Sequence, residues 1–398
     1  MNSICPKKQC TGCAACVNTC PKGCISMVPD AEGFLYPHVD REYCTECGMC
    51  MRICPVLNPI QCNDVAMPRV YACWNRDESI RSSSSSGGMF TALAEQVIDA
   101  GGVVFGVAFD GHMRVKHVAA ETHGDLARLR GSKYVQSYVG LSYVKAEAFL
   151  RRNKAVMFFG TPCQIAALRA SLGQIPDNLI TCDLLCHGVP SPDLFAKYIG
   201  YLERRFGARV TSVDFRHKRI GWQLPSTVAT FDNGRQIILN DIADSFMYGF
   251  SRNLSLRPAC YRCTYASSRR IGDVTIGDFW GIGESAPFHH HTRNGVSLVL
   301  ANSEKGIRLL ENGGDKFVCQ ERTLDEARRR GMALVGPRPE PRSREQFFAD
   351  YAATEFEELA RKHLVDRGYK RLIKRTVPRT WVHWVQRHIQ RLGCRHST

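Results

Sequence analysis

The chain has 398 residues, enough for two or three domains each with its own core. An apolar content of 44% and a charged content of 23% are those of a globular protein and exclude a disordered one. The formal net charge of +15 would suit nucleic acid or an anionic surface, but no base-reading motif accompanies it, so nucleic acid is excluded as a partner.

The first elements in chain order are two runs of four cysteines. Cys10, Cys13, Cys16 and Cys20-Pro21 form one, and Cys44, Cys47, Cys50 and Cys54-Pro55 the other. Each run has the C-x₂-C-x₂-C-x₃-C-P spacing of bacterial-type ferredoxins, which hold two 4Fe-4S clusters. A short loop wraps a cube with three thiolates, and the proline turns the chain away afterwards. In that pattern the fourth cysteine crosses over. One cube would take Cys10, Cys13, Cys16 and Cys54, the other Cys44, Cys47, Cys50 and Cys20. Structural zinc is the alternative, but zinc sites use paired hooks rather than triple runs closed by Cys-Pro. Residues 1–60 are therefore expected to form a two-cluster module that moves single electrons.

The sequence holds nineteen cysteines, and no apolar segment precedes the first ligands. No stretch approaches the roughly 20 apolar residues that span a bilayer. The expected compartment is a reducing cytoplasm. After a linker with Pro59, Cys62 and Pro68, Val70-Tyr71-Ala72-Cys73-Trp74 reads as a strand. The tract Ser82–Ser86 with Gly87-Gly88 leads into a helix over 91–100, and Val103–Phe109 reads as a buried strand. Small residues before a helix let backbone N–H groups meet a phosphate, or simply form a serine loop that caps the helix.

Further strands, Ala155–Phe159 and Leu179–Leu185, open onto Gly160-Thr161-Pro162-Cys163-Gln164 and Cys186-His187-Gly188. This is the rhythm of an α/β domain with functional loops at strand C-terminal ends. Residues 210–239 are richer in β signals. Cys163, Cys186 and the Cys260-Tyr261-Arg262-Cys263 hook could converge on a third 4Fe-4S cluster, although such a hook alone also suits zinc or a redox pair. Cys182, on the same strand face as Cys186, competes for that role. Cys5, Cys24, Cys62, Cys73, Cys319 and Cys394 lack partner spacing and read as ordinary thiols. His289, His290 and His291 read as a surface loop.

Beyond Asp366 the chain carries Arg367, Lys370, Arg371, Lys374, Arg375, Arg379, Arg387, Arg391 and Arg395 and no acid. Val377, Trp381, Trp384, Val385 and Leu392 share one helical face. Residues 340–398 thus read as a basic helical tail that meets an anionic membrane peripherally or packs on the protein's own body.

Gly131-Ser132-Lys133-Tyr134-Val135-Gln136-Ser137, Gly160–Gln164, Cys186–Ser191 and Ile276-Gly277-Asp278-Phe279-Trp280-Gly281 together resemble the coenzyme F420 hydrogenase/dehydrogenase beta-subunit family, to about residue 312. The resemblance implies a flavin-binding α/β core over 68–150 and 151–312, behind the ferredoxin module, in a chain that is α+β overall. It implies FAD and a core cluster held by Cys163, Cys186, Cys260 and Cys263. Ser86, Gly87, Gly88 and Thr91 would meet the FAD phosphates, with Lys133 and Gly160-Thr161-Pro162 nearby. A redox partner protein or ferredoxin would supply electrons and a small molecule would exchange them with the flavin; the alternative is a subunit relaying electrons between proteins. His187 is the candidate proton donor, or a structural histidine beside the cluster. Asp183 and Asp278 carry the same two readings.

Overall fold

The computed structural model describes residues 4–63, 68–239 and 244–365. The basic stretch from Arg367 onward and its tryptophan face lie outside the described residues. A 3-10 turn, Lys7–Gln9, opens the first cysteine run, and α1 (Ala15–Thr19) lies within it. Strands β1 (Ile25–Pro29) and β2 (Leu35–Val39) pair as an antiparallel hairpin, and α2 (Met49–Arg52) lies in the second run. Asp30 closes the hairpin by accepting from the N–H groups of Glu32 and Phe34 at 3.1 and 3.0 Å, the local bonding that favours Asp in turns.

The larger unit runs β3 (Arg69–Asn75), α3 (Glu78–Ser82), α4 (Met89–Asp99), β4 (Val103–Phe109), β5 (Val115–Ala120), α5 (His123–Leu129) and α6 (Ser142–Arg151). It continues through β6 (Val156–Gly160), α7 (Pro162–Leu172), β7 (Leu179–Leu184) and α8 (Pro192–Phe206). A meander follows, β8 (Val210–His217), β9 (Ser226–Phe231) and β10 (Gln236–Leu239), then α9 (Ser245–Ser251) and a 3-10 turn, Pro258–Arg262. The rest is β11 (Val274–Asp278), β12 (Ser297–Ala301), α10 (Glu304–Glu311), β13 (Phe317–Arg322), α11 (Leu324–Arg330), α12 (Arg344–Ala353) and α13 (Phe356–His363).

Eight strands form one mixed sheet in the order β13-β3-β12-β11-β7-β6-β4-β5. Its centre, β11-β7-β6-β4, is parallel. All five residues of β6 are buried, as expected where helices cover both faces of a parallel sheet. Phe105 and Phe158 stack at 5.4 Å beside the Ile165–Leu168 face of α7. The sheet draws strands from both sides of residue 150 and from beyond residue 312. The C-terminal ends of β6, β7 and β11 lie on one edge, where α/β sheets collect ligands. That edge bears Gly160–Cys163, Leu185–His187 and Asp278–Trp280.

One pair of thiols departs from the sequence reading. Cys73 on β3 and Cys319 on β13 stand directly opposite in register and form a disulfide. They are 246 residues apart, so only the strand order of the sheet brings them together. The described part of the tail packs on the body. Arg344 in α12 donates to Glu32 of the hairpin turn and to the Leu256 carbonyl. Phe348 meets Phe34 at 6.0 Å, and the Tyr351 hydroxyl donates to Asp193. Among the described residues no helix is long and apolar enough to cross a membrane.

Candidate metal and cofactor site

The duplicated cysteine spacing has a duplicated backbone. Gly12 and Ala14 in the first run, and Glu46 and Gly48 in the second, are all left-handed, at φ +66, +61, +52 and +70°. Each pair sits between the same members of its run. The reversal it imposes curls the loop so that three thiols can face one centre, which is why non-glycine residues accept the cost here. Gly12 is further constrained, because a Cβ there would lie 2.2 Å from the Gln136 amide and 2.9 Å from Arg257.

Cys10, Cys13, Cys16 and Cys54 line a single small hollow, together with Cys5. The fourth cysteine of the second run thus reaches the first run's loop. Hydrogen bonding from Cys5 draws Cys10 and Cys54 down to about 6, with Arg257 assisting at Cys10. Burial pushes Cys13 up to about 11 and raises Cys16 as well. In the other set, burial raises Cys50, and charge on Cys20 and Cys44 adds to it. Cys47 stands exposed. Cys24 lies with its Sγ 3.4 Å from that of Cys20, so both Cys5 and Cys24, read from spacing as ordinary thiols, sit against the runs. Among the described residues, no three His, Cys, Asp or Glu side chains are gathered as a single-ion site.

The third set lies on the edge of the large sheet. Cys163 occupies the first turn of α7, where Gln164 reaches back to the Thr161 N–H at 2.9 Å and the Thr161 hydroxyl lies 3.2 Å from the Cys163 sulfur. Cys186 follows the end of β7, and Cys260 and Cys263 bracket the end of the second 3-10 turn. All four line one cavity of about 600 Å³. Burial pushes Cys186 and Cys260 up to about 12 and raises Cys163 and Cys263 too. A coordinating cluster inverts that preference, since a ligated thiol is deprotonated. Cys182 is fully buried within β7, among Val274 and Val299, and does not line the cavity. The first and third sets face each other. Helix α1 packs on α7, charge on Cys13 reaches Cys163, and the Tyr143 hydroxyl donates to the Cys13 carbonyl at 2.9 Å.

The serine loop forms another part of the cavity wall, through Ser84, Ser85, Ser86, Gly88, Met89 and Phe90. Gly88 precedes α4 at φ +88° and supplies no side-chain cap. The first N–H groups of that helix are therefore left to another acceptor. Gly87 stays behind the wall; its N–H donates to Ser297 Oγ at 2.9 Å, and a Cβ would lie 2.5 Å from the Cys73 carbonyl. Thr91 is also behind it, accepting from Arg130 Nε at 3.0 Å, while Arg130 Nη1 donates to Ser83. Lys133 lines the cavity, but its ammonium donates to the Arg128, Leu129 and Arg130 carbonyls at the end of α5. Burial lowers it to about 7. Gly160, Thr161 and Pro162 line the cavity beside Cys163.

His187 lies on the same wall, 4.6 Å from the Phe250 ring, and its Nδ1 accepts from Arg338 Nε at 3.2 Å. Burial lowers it to about 4, with the Arg338 charge adding to the effect. Asp278 accepts from Trp222 Nε1 at 2.6 Å and from Arg216 at 3.2 Å, beneath a Trp222–Trp280 stack at 4.7 Å. Asp183 is fully buried in an ion pair with Arg270, away from the cavity. His289–His291 are exposed, as their crowding implied. Arg130, Arg216, Trp222 and Arg338 carried no local motif and were missed; Trp280 was visible only as part of the Asp-Phe-Trp-Gly string.

The sequence matches three family descriptions. They are "4Fe-4S dicluster domain" over residues 9–58, "Coenzyme F420 hydrogenase/dehydrogenase, beta subunit N-term" over 70–144, and the same subunit's "C terminus" over 153–327. The chain belongs to the coenzyme F420 hydrogenase/dehydrogenase beta-subunit family and carries an N-terminal 4Fe-4S dicluster module. It is an iron-sulfur protein of electron transfer. Among solved structures it is similar to a chain in the xenon-derivatised F420-reducing NiFe hydrogenase complex from Methanosarcina barkeri. That chain shares 17% identity, with 74% of this chain and 93% of that one covered, at a TM-score of 0.47. No curated protein matches the sequence.

Proposed function

We propose that the chain is an FAD-containing iron-sulfur oxidoreductase. A redox partner protein or ferredoxin would give electrons to the dicluster module, and a small molecule would exchange them in the large cavity, in either direction. The single observation that carries this reading is the cavity itself. Four thiols from three separate loops line one part of its wall, and a serine loop with an uncapped helix start lines another. Cys163, Cys186, Cys260 and Cys263 would hold a third cluster, and the Ser85–Met89 backbone would meet the phosphates of FAD. When bound, the flavin would convert between the single electrons of the clusters and the paired electrons of organic substrates.

The protein's own groups divide the remaining work. Arg130, fixed by Thr91 and Ser83, places positive charge beside the serine loop. Lys133 sets the end of α5 rather than reaching a ligand. His187, held neutral by burial, positions Arg338 on the wall, and Arg338 would face an anionic group of the small molecule. The reading places the protein in the cytoplasm; a peripheral membrane contact would fall to the residues beyond Asp366. Anaerobic purification with iron, sulfide and flavin analysis tests it. The expected content is about twelve irons and one FAD per chain. Twelve irons without flavin would leave an electron-relay subunit, and a colourless zinc protein would refute both.

A further inference from the structure

Arg257 is fully buried, with 0% exposure, and belongs to two sites at once. Its backbone is part of the core thiol loop. The N–H donates to the Val189 carbonyl at 3.0 Å, three residues beyond Cys186, and its carbonyl accepts from the Cys260 N–H at 2.9 Å. Its side chain crosses into the dicluster module. Nε donates to the Cys10 carbonyl at 2.7 Å, and Nη1 donates to the Leu35 carbonyl at 3.0 Å and to Gln136 at 2.9 Å. The guanidinium lies 4.1 Å from the Tyr36 ring centre.

Two features of this arrangement are costly as they stand. Among the described residues no carboxylate lies within ion-pair distance of Arg257, and its Nη2 is buried with no hydrogen-bond partner. A buried guanidinium cannot shed its proton, and a buried charge left without a partner is strongly destabilising. A group that carries negative charge, next to Cys10, resolves both. A 4Fe-4S cube ligated by four thiolates is such a group.

We infer that Arg257 is the fixed counter-charge of the inner cluster, the one held by Cys10, Cys13, Cys16 and Cys54, and that it sets this cluster's potential above that of the outer one. Reduction adds one electron to the cube, supplied by dithionite in the test below; no bond forms or breaks and no proton is taken up. The product carries one more negative charge, so a buried cation stabilises it over the oxidised form. The outer set has an exposed ligand, Cys47, and water screens charge there. Electrons entering at the outer cluster would then fall toward the inner one, beside the core thiols. The inference rests on the dicluster assignment and not on the flavin.

EPR-monitored potentiometry of the anaerobically purified full chain tests it, with Cys47→Ser marking the outer cluster's signal. Arg257→Met should shift the inner cluster's reduction equilibrium at least tenfold against reduction, about 59 mV for one electron. Arg257→Lys, which keeps the charge but loses the fork, should fall between. An unchanged inner potential at full iron content overturns the inference, and so does an equal shift in every cluster. The wild type gives a check that no folding failure can remove. Because arginine does not titrate, the inner potential should be flat from about pH 6 to 9, and a slope near 59 mV per pH unit overturns the assignment. Missing irons in the wild type would instead refute the dicluster reading.

Discussion

Asp183 separates a structural account of the cavity edge from a catalytic one. Its carboxylate is fully buried at the end of β7. It accepts from Arg270 Nη2 at 2.8 Å, Thr275 Oγ1 at 2.7 Å, the Gly272 N–H at 3.0 Å and the Ile271 N–H at 3.3 Å. Arg270 extends the network to the Leu184, Tyr265 and Ser267 carbonyls. The pair thus ties the strand that presents Cys186 to the loop following Cys263. Asp183→Ala would leave a buried guanidinium unpaired, worth about 3–5 kcal/mol, and two amides without their acceptor. We take about 4 kcal/mol, a large part of the roughly 5–15 kcal/mol that a folded domain has. With a urea slope near 3 kcal/mol/M for a chain of this size, the unfolding midpoint should drop by about 1.3 M. Asp183→Asn keeps an acceptor and loses the charge, so it should fall between. Tryptophan fluorescence in urea reads both, and iron analysis should show Asp183→Ala short of the core cluster. A midpoint within about 0.3 M of wild type, at full iron content, would falsify the structural role.

Three further outcomes follow from particular contacts. Cys186→Ala and Cys260→Ala should each lower the iron content by about four per chain, whereas Cys182→Ala, whose thiol lies in the core, should keep it; loss in the Cys182 variant would reverse the assignment. Gly87→Ala would push a Cβ to 2.5 Å from the Cys73 carbonyl and 2.7 Å from the Ser297 nitrogen. Backbone cannot yield as a side chain can, so stability should fall by about 1–3 kcal/mol and flavin retention at least tenfold. Gly111→Ala, with open space around it, is the control, and equal behaviour of the two variants would contradict the packing argument. Burial holds His117 down to about 4, between Ser137 Oγ and the Phe159 carbonyl. Between pH 4 and the unfolded value of about 6.5 the unfolded chain binds a proton that the native one does not. Through His117 alone, stability should therefore be flat above about pH 6.5 and fall by about 3 kcal/mol toward pH 4. His187, held down in the same way, adds to that slope, so His117→Gln should make that part of the urea-midpoint profile shallower by its own share.

What the sequence made legible was whatever depends on neighbours along the chain. The cysteine runs, the strand-loop-helix order around Cys163 and the β-rich stretch before Leu239 are local, and each has its counterpart in the fold. The ferredoxin-type pattern also paired Cys54 with the first run, and Cys54 lines the same hollow as Cys10, Cys13 and Cys16. Long-range pairing was not legible. The Cys73–Cys319 bond depends on β13 lying beside β3 at the sheet's edge, and no spacing encodes an edge. Lys133 illustrates a subtler limit: its place in the Gly-Ser-Lys-Tyr string was visible, but not that three carbonyls at the end of α5 would claim its ammonium. Arg130, three residues earlier, lies beside the serine loop, as does Lys218, whose ammonium donates to the Ser86 carbonyl, and no local motif marks either.

The three thiol sets also differ in exposure in a way that bears on direction. Cys47 is exposed, Cys10 and Cys54 are buried beside Cys5 with Cys13 and Cys16 half-buried around the same hollow, and the core thiols open onto a cavity. Among the described residues, a donor protein would meet Cys47 most directly, and a small molecule would enter the cavity beside the core thiols. The middle set is less exposed than the outer one, and it meets the rest of the chain through the packing of α1 on α7, the Tyr143 hydroxyl on the Cys13 carbonyl and an arginine anchored in the core thiol loop. If charge moves through this protein, the middle set is where the fold can control it, since a cluster shielded from water feels a single buried cation far more than an exposed one does. Raising the salt concentration should therefore alter the rate at which a protein donor reduces the outer cluster and leave the inner cluster's potential almost unchanged. A strong salt dependence of that inner potential would mean that water reaches the Cys10 hollow, and the ordering argued from burial would fail.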